Sequence, residues 1–411
     1  MLKNNGIVKK KLLCICGWIE YERTVLIPAD EESAKKLLEE GVRAIYPKDC
    51  ALGVDKLPFK ATYLMMSAIA REGIRALSYE KAALEIQEKY HANVSSVHVE
   101  KITDYVGQVV MSYAAEEAEK AKAVFQKGFD KRKRHRRDND ILYLELDGAM
   151  VHLRDKPDKD KAKPGWGESK HAIAFHSRNL LYRHRGEDNE SHEILKRDLT
   201  GYIGSAEEFE NYFLALALRN HVESCSEVVV LSDGALWIQR FIEKYLPFAT
   251  FILDKYHNKE NAGKWANAVV KGKNQKKELA DLLCDLIDKG DVQGLLSIAE
   301  KYKDKPLPPG IPNYYTYVKN HMNYMDYPTY EKAGYFVGSG AIESANIYLM
   351  QNRMKLSGQR WKIERGQGVL MLKAKYESEN WNQVTELMRI HCYGEDDTEE
   401  RHKLDGFSFC I

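Results

Sequence analysis

VVVLSDGALWIQRFIEKYLPFATFILDKYH, residues 228–257, decides the fold. The apolar run VVVL stops at Asp233-Gly234, a helical segment of about ten residues follows, and a second apolar run, FIL, stops at Asp254. Continuous apolar runs of this length suit strands buried on both faces, as in the parallel interior of a sheet. The stretch therefore reads as strand, helix, parallel strand, with a carboxylate at the end of each strand.

Working outward, the same strand-plus-carboxylate pattern occurs upstream in ILYLELDGAMVHLR, residues 141–154, which carries Asp147. Beyond a charged loop, KPDKDKAKPGWGESK, HAIAFHS (171–177) reads as a second strand and NLLYRHRGE as a third. SAEEFENYFLALALRNHV, residues 205–222, is an amphipathic helix in which Ser205 and Glu208 have capping-box spacing. The resulting order, β-β-β-α-β-α-β, is the succession of an RNase H-like core. An α/β fold follows: an RNase H-like mixed sheet flanked by helices. A helical insertion precedes the last helix of the site, and the N-terminal region is mainly helical. The insertion spans 258–335 and is broken by KPLPPGIP (305–312), and GSGAIESANIYLMQNRMK (338–355) starts a helix bearing Glu343.

In this order the first and fourth strands lie side by side. Asp147 and Asp233 would then meet although they are 233 − 147 = 86 residues apart, and Glu343 would close the site from a helix. An apolar strand ending in a carboxylate is costly unless a cation neutralises it. Three such acids are the minimum set for clamping two divalent metals, the arrangement that activates an attacking oxygen and stabilises a leaving one without a nucleophilic side chain. Taken singly, each acid has a plain alternative: Asp-Gly is an ordinary turn, and a lone helical glutamate is usually solvated. Their joint placement carries the inference. Gly148 and Gly234, directly after the aspartates, would leave room for a phosphate backbone. Asp254 is the rival to Asp233 for the second carboxylate.

The chain has 62 Lys+Arg against 61 Asp+Glu, so overall charge advertises no partner; its distribution says more. KRKRHRR (131–137) has six Lys/Arg in seven positions, and Gln351–Lys375 holds seven basic residues against one acid. Such blocks either solvate a face or track phosphates. Seven scattered cysteines without CxxC spacing, no signal peptide and no membrane-length apolar run suggest free thiols in the cytoplasm and no membrane partner. Cys14 and Cys16 alternate within a strand and lack the two further ligands that zinc would need.

Domain boundaries are expected as a strand-rich segment over 1–54, a helical region with a basic linker over 55–138, and a core from 139–257 and 336–380. The insertion over 258–335 and a tail over 381–411 complete the chain. Within the helical region, SYEKAALEIQEKY (78–90) and SSVHVEKITDYVGQVV (95–110) form helix, tight turn, helix, with Ser78 and Ser95 as caps. This is either a helix-turn-helix with Ser96, His98 and Lys101 facing a groove, or a simple αα-hairpin.

Three blocks carry a family resemblance: LELDGAMVHL, VLSDGALWIQRFIEKYLPFATFILDKYHNKEN, and YFVGSGAIESANIYLMQNRMKLSGQRW. Over roughly residues 140–376 the chain resembles bacterial insertion-sequence transposases of the DDE class, the Mutator-like group with an RNase H-like catalytic core. The resemblance implies metal-dependent DNA cleavage and strand transfer at insertion-sequence ends, with Asp147, Asp233 and Glu343 as catalytic, metal-holding carboxylates. Asp254 and His257 would be an accessory D-x-x-H pair. It further implies two Mg²⁺ or Mn²⁺ ions, double-stranded DNA (ends and target) as partner, a homo-oligomer assembled on DNA, and a nucleoid-associated location. Arg353, Lys355 and Arg360 would grip phosphates, and Trp361 would stack on an unpaired base or pack in the core. Members of the class generally carry a longer N-terminal end-binding region, so the chain reads as a truncated copy with its chemistry retained. The alternatives are an RNase H-like nuclease or resolvase without strand transfer, and a transposase-derived DNA-binding protein without catalysis.

Overall fold

In a computed structural model the chain divides into two compact units, Met1–Ala114 with Asn352–Ile411, and Ala115–Gln351. The structure describes residues 1–39, 41–128, 140–154, 165–184 and 190–395. The basic run at 131–137 and most of the acidic tail lie outside the described residues. The expected 336–380 piece of the core is divided between the units: up to Gln351 it belongs to the second, and from Asn352 to the first.

The first unit opens on a hairpin, β1 (Leu2–Cys14) and β2 (Gly17–Pro28), followed by α1 (Glu31–Glu39), α2 (Pro47–Leu52), α3 (Tyr63–Arg75), α4 (Tyr79–Tyr90) and the start of α5 (Ser96–Lys127). Ser78 caps α4 by accepting the Lys81 N–H. Ala82, Ile86, Val99, Ile102 and Val106 are all buried, as their spacing requires. The second helix of the expected pair is not short, however: α5 runs 32 residues without a break, absorbing the Ala-, Glu- and Lys-rich segment that follows. His98 and Lys101 are exposed and Ser96 half-buried.

The second unit holds β3 (Ile141–His152), β4 (Trp166–His176), β5 (Leu180–His184), β6 (Glu190–Ile194), β7 (Asp198–Ile203), α6 (Ala206–Arg219), β8 (Glu227–Ser232), α7 (Leu236–Tyr245) and β9 (Thr250–Leu253). Five of these strands form one mixed sheet in the order β7-β4-β3-β8-β9. β3 pairs antiparallel with β4, and β4 with β7; β3-β8 and β8-β9 are parallel. The third strand of this sheet is DLTGYI at 198–203, not the NLLYRHRGE segment, whose β5 instead forms a separate two-stranded ribbon with β6. The glycine and aspartate in DLTGYI weaken its strand signature.

Side chains alternate across the sheet. Leu142, Leu144, Leu146, Val228 and Val230 join Phe209, Phe213, Phe241 and Ile242 in one apolar core, which fixes α6 and α7 to that face. α6 starts on the expected capping box of Ser205 and Glu208. Tyr143, Glu145 and Asp147 belong to the opposite face, where Tyr143 stacks on Phe175 at 5.1 Å. Five helices form the insertion: α8 (Lys255–Val269), α9 (Lys273–Asp288), α10 (Val292–Glu300), α11 (Tyr314–His321) and α12 (Tyr327–Lys332). The short α13 (Gly340–Asn346) is followed by a single π-helical turn over Ile347–Gln351. The chain then returns to the first unit through α14 (Asn352–Met354), α15 (Ile363–Glu377) and α16 (Trp381–Tyr393).

Phe213 is fully buried in the sheet–helix core. Phe213→Ala is expected to cost about 3–5 kcal/mol, read as a lowered urea midpoint of the full chain. A loss under about 1 kcal/mol would mean that α6 contributes little to this core.

Candidate functional site

Strand register builds the site. From Ile141↔Glu227 to Glu145↔Leu231, β3 and β8 pair at a constant offset of 227 − 141 = 86. Carried two residues further, that offset sets Asp147 level with Asp233. From Val229↔Thr250 to Ser232↔Leu253 the offset is 250 − 229 = 21, which sets Asp233 level with Asp254. On the other side of β3, Asp147 pairs with His171 of β4. Extended past the last paired residues, these offsets bring Asp233 and Asp254, which directly follow β8 and β9, to the level of Asp147, whose own partner within the sheet is His171.

These residues differ in environment. Asp233 is exposed and Asp147 half-buried. Asp147 accepts the Gly148 N–H at 2.7 Å on one oxygen and the Asn346 amide on the other. Asn346 in turn accepts from His171 Nδ1 at 2.6 Å, and His171 Nε2 meets the Ser169 hydroxyl at 2.7 Å. This buried relay holds the Asp147 carboxylate in one orientation. Burial raises the Asp147 carboxyl above its ordinary range, aided by the charges of Asp233 and Glu343 and opposed by the Gly148 bond and His257.

Asp254 is fully buried and caps α8 by accepting the His257 N–H at 2.7 Å. Its second oxygen accepts both the Ser339 N–H and the Ser339 hydroxyl, each at 2.5 Å. Burial alone would raise this carboxyl, but the bonds from His257 and Ser339 outweigh it and hold it at about 2. His257 Nδ1 stands 3.5 Å from Asp254 and 3.8 Å from Glu343 Oε1. Its interaction with Asp254 is the main cause that pushes the imidazole up to about 9, so the ring is cationic at neutral pH.

Glu343 lies in the first turn of α13 and is half in solvent, with 52% of its side chain exposed. Asp254, His257 and Glu343 each offer one ligand atom within 4.8 Å of the others, a group that could hold a metal ion. Among the described residues, the expected trio of Asp147, Asp233 and Glu343 does not form so tight a group. Like charges with no cation between them repel, and His257 draws Glu343 toward Asp254.

Sequence reasoning missed several members of this neighbourhood. Glu145 is entirely buried one turn of the pleat from Asp147, accepts the Ile342 N–H at 2.8 Å, and is pushed up to about 8 by burial. A charged residue inside the apolar run ILYLELD was the available signal. Tyr317 donates to the Asp233 carbonyl at 3.3 Å, and His321 Nε2 lies 2.7 Å from the Gly234 carbonyl. Both come from α11, so the insertion buttresses the loop after β8. Gly234 has φ +86°, and a Cβ there would stand 2.5 Å from Leu253 and 2.9 Å from His321. The turn and its packing require glycine at this position.

The residues expected to grip DNA do not share one fate. Arg353 is buried in the first unit, where it donates to the Gly73 carbonyl at 3.1 Å and lies over the rings of Tyr79 and Trp361. Trp361 is buried too and donates to the Met354 carbonyl at 3.2 Å. Of that group, Lys355 and Arg360 are exposed.

Residues 7–305 match the Uncharacterised protein family (UPF0236), and the chain belongs to that family. No curated protein matches it. Among solved structures, the chain has a similarity to the Drosophila P element transposase strand transfer complex at 9% identity, covering 80% of this chain and 93% of that one. The TM-score is 0.34, too low to carry an inference about fold. Among the described residues no helix is long and apolar enough to cross a membrane.

The folded His257 imidazole holds its proton more tightly than an unfolded one. Its contribution to stability is therefore complete below the ordinary histidine value of 6.5 and fades as pH rises through about 9. In metal-free buffer, the Tm gap between wild type and His257→Gln is expected to be widest near about pH 6 and to close toward about pH 10. A gap that ignores pH would remove the ion pair.

Proposed function

We propose that the second unit is the catalytic domain of a DDE transposase with an RNase H-like core, cleaving and joining DNA at insertion-sequence ends. The observation that carries this reading is the parallel β3–β8 pairing, which brings Asp147 beside the Asp233 that follows β8, with both Asp233 and Glu343 of α13 close enough for their charges to raise the Asp147 carboxyl. In order of appearance the five strands of the sheet lie 3-2-1-4-5, with the last two parallel to the first. That arrangement supports the RNase H-like assignment.

The donor set fits hard divalent cations. Asp147, Asp233 and Glu343 supply carboxylate oxygens with access to solvent, whereas the imidazole nitrogen of His257 is a poor partner for Mg²⁺. Two Mg²⁺ or Mn²⁺ ions held by these three carboxylates would activate the attacking oxygen and stabilise the leaving one. The protein's own part is orientation. The Ser169–His171–Asn346 relay fixes Asp147, α11 fixes the loop bearing Asp233, and α13 presents Glu343. The attacking group is a water or a DNA 3′-hydroxyl, so no covalent enzyme intermediate is needed. Double-stranded DNA is the partner, as element end and as target, with copies of the chain assembling on it near the nucleoid. In the first unit, the exposed Lys355 and Arg360 are the candidates for binding phosphate.

Asp147→Asn, Asp233→Asn and Glu343→Gln are each expected to abolish Mg²⁺- or Mn²⁺-dependent cleavage of labelled DNA while binding survives. An active Asp233→Asn beside a dead Asp254→Asn would transfer the second carboxylate's role to Asp254.

Replacing Lys355 and Arg360 with Gln should flatten the dependence of log K on log salt by about 0.9 for each phosphate no longer neutralised. An unchanged slope would mean that both side chains merely face water.

A further inference from the structure

Asp254 belongs to the one tight group of ligand atoms among the described residues, yet it is the member least available to an ion. It is entirely shielded from solvent. One oxygen accepts two short bonds from Ser339, and the other accepts the His257 N–H. Those bonds lead to Glu343. Ser339 is the residue before α13, and its hydroxyl makes no cap of its own helix because it is turned to Asp254. Its carbonyl accepts the Glu343 N–H at 3.2 Å, closing the first turn of α13. Just before Glu343, the Ala341–Ile342 peptide is tied to β3 through the Ile342 N–H on Glu145. The first N–H groups of a helix have no partner within it. At α13, buried carboxylates from β3 and the end of β9 supply partners before and within its first turn.

We propose that Asp254 is a positioning residue. It locks the first turn of α13 to the end of β9 and so sets where Glu343 stands, and it does not itself ligate a metal. This rests on the reading of the site as a divalent-metal centre. It assigns the D-x-x-H segment a mechanical part: Asp254 grips the helix, and His257 Nδ1 lies between Asp254 and Glu343, 3.5 and 3.8 Å away.

Two measurements on the full chain test it: amide hydrogen exchange over residues 337–346, and Mn²⁺ titration followed by the electron paramagnetic resonance of free Mn²⁺. The variants are Asp254→Asn, Ser339→Ala, Glu343→Gln and the Asp254→Asn/Glu343→Gln double. Ser339→Ala removes one donor without changing charge, so it reports even if Asp254→Asn folds poorly. Both Asp254→Asn and Ser339→Ala should speed exchange in the first turn of α13 by about tenfold or more. Each should also weaken Mn²⁺ binding by about ten- to a hundredfold, the usual effect of losing a group that orients a ligand. In the double variant Asp254→Asn should weaken binding no further than Glu343→Gln alone, because its effect passes through Glu343. A further loss of about tenfold in the double would make Asp254 a direct ligand and overturn the proposal. Unchanged exchange in both single variants would overturn it equally. A wild-type chain that takes up no Mn²⁺ would instead overturn the metal reading beneath it, with the exchange data still deciding whether the clamp exists.

Discussion

Parallel pairing of β3, β8 and β9 is the constraint on which the rest of the second unit depends. β3, β8 and β9 are apolar through most of their paired length, and each meets an aspartate at or just beyond its last parallel bond. Extended past the last paired residues, the register brings those three aspartates level. The energetic problem follows at once, since carboxylates side by side at a sheet edge repel and two of them are partly or wholly desolvated. Each answer visible in the structure is local. Asp147 takes an amide and a backbone N–H, Asp254 takes a hydroxyl and two backbone N–H groups, and Asp233 stays in water.

The helical insertion serves the same end. Asn258 bonds Tyr314 and Tyr327 in a buried knot beside Trp265, giving α8, α11 and α12 a common core. Lys255, the residue after Asp254, reaches Glu331 at 2.8 Å and Asp288 at 3.0 Å, tying the start of α8 to α12 and α9. From that scaffold α11 supports the Asp233–Gly234 turn. A segment that is long and peripheral in sequence therefore acts as the brace for one of these carboxylates.

In the first unit, a basic stretch hides two kinds of residue. Arg353 and Arg360 belong to the same positive run, yet Arg353 is 2% exposed and lies against aromatic rings, whereas Arg360 faces solvent. A buried guanidinium bonded to a carbonyl and lying over two rings stabilises its own helix packing and leaves no donor fork for a phosphate. Counting charge along a chain cannot separate these cases, because the separation is made by what the other helices bury.

Much was legible beforehand. The strand–helix–strand pattern of 228–257, the capping box at Ser205 and the spacing that brings Asp147 to Asp233 depend on periodicity and on chain-local chemistry, and both are written in residue order. The third strand was not, because Gly201 and Asp198 mask a strand that exists only through its pairing with β4. Nor were Glu145, His171, Ser339 and Asn346. Their parts arise from bonds that span 85 to 199 residues of chain, between groups that carry no special pattern of their own. Sequence by itself determined β8, α7 and β9 and the aspartates that directly follow β8 and β9, since hydrophobic runs and caps act within a few residues. Only the tertiary structure decided which acid is satisfied internally, which faces solvent and which basic residues are free, because burial and hydrogen bonding belong to the folded surface rather than to the chain.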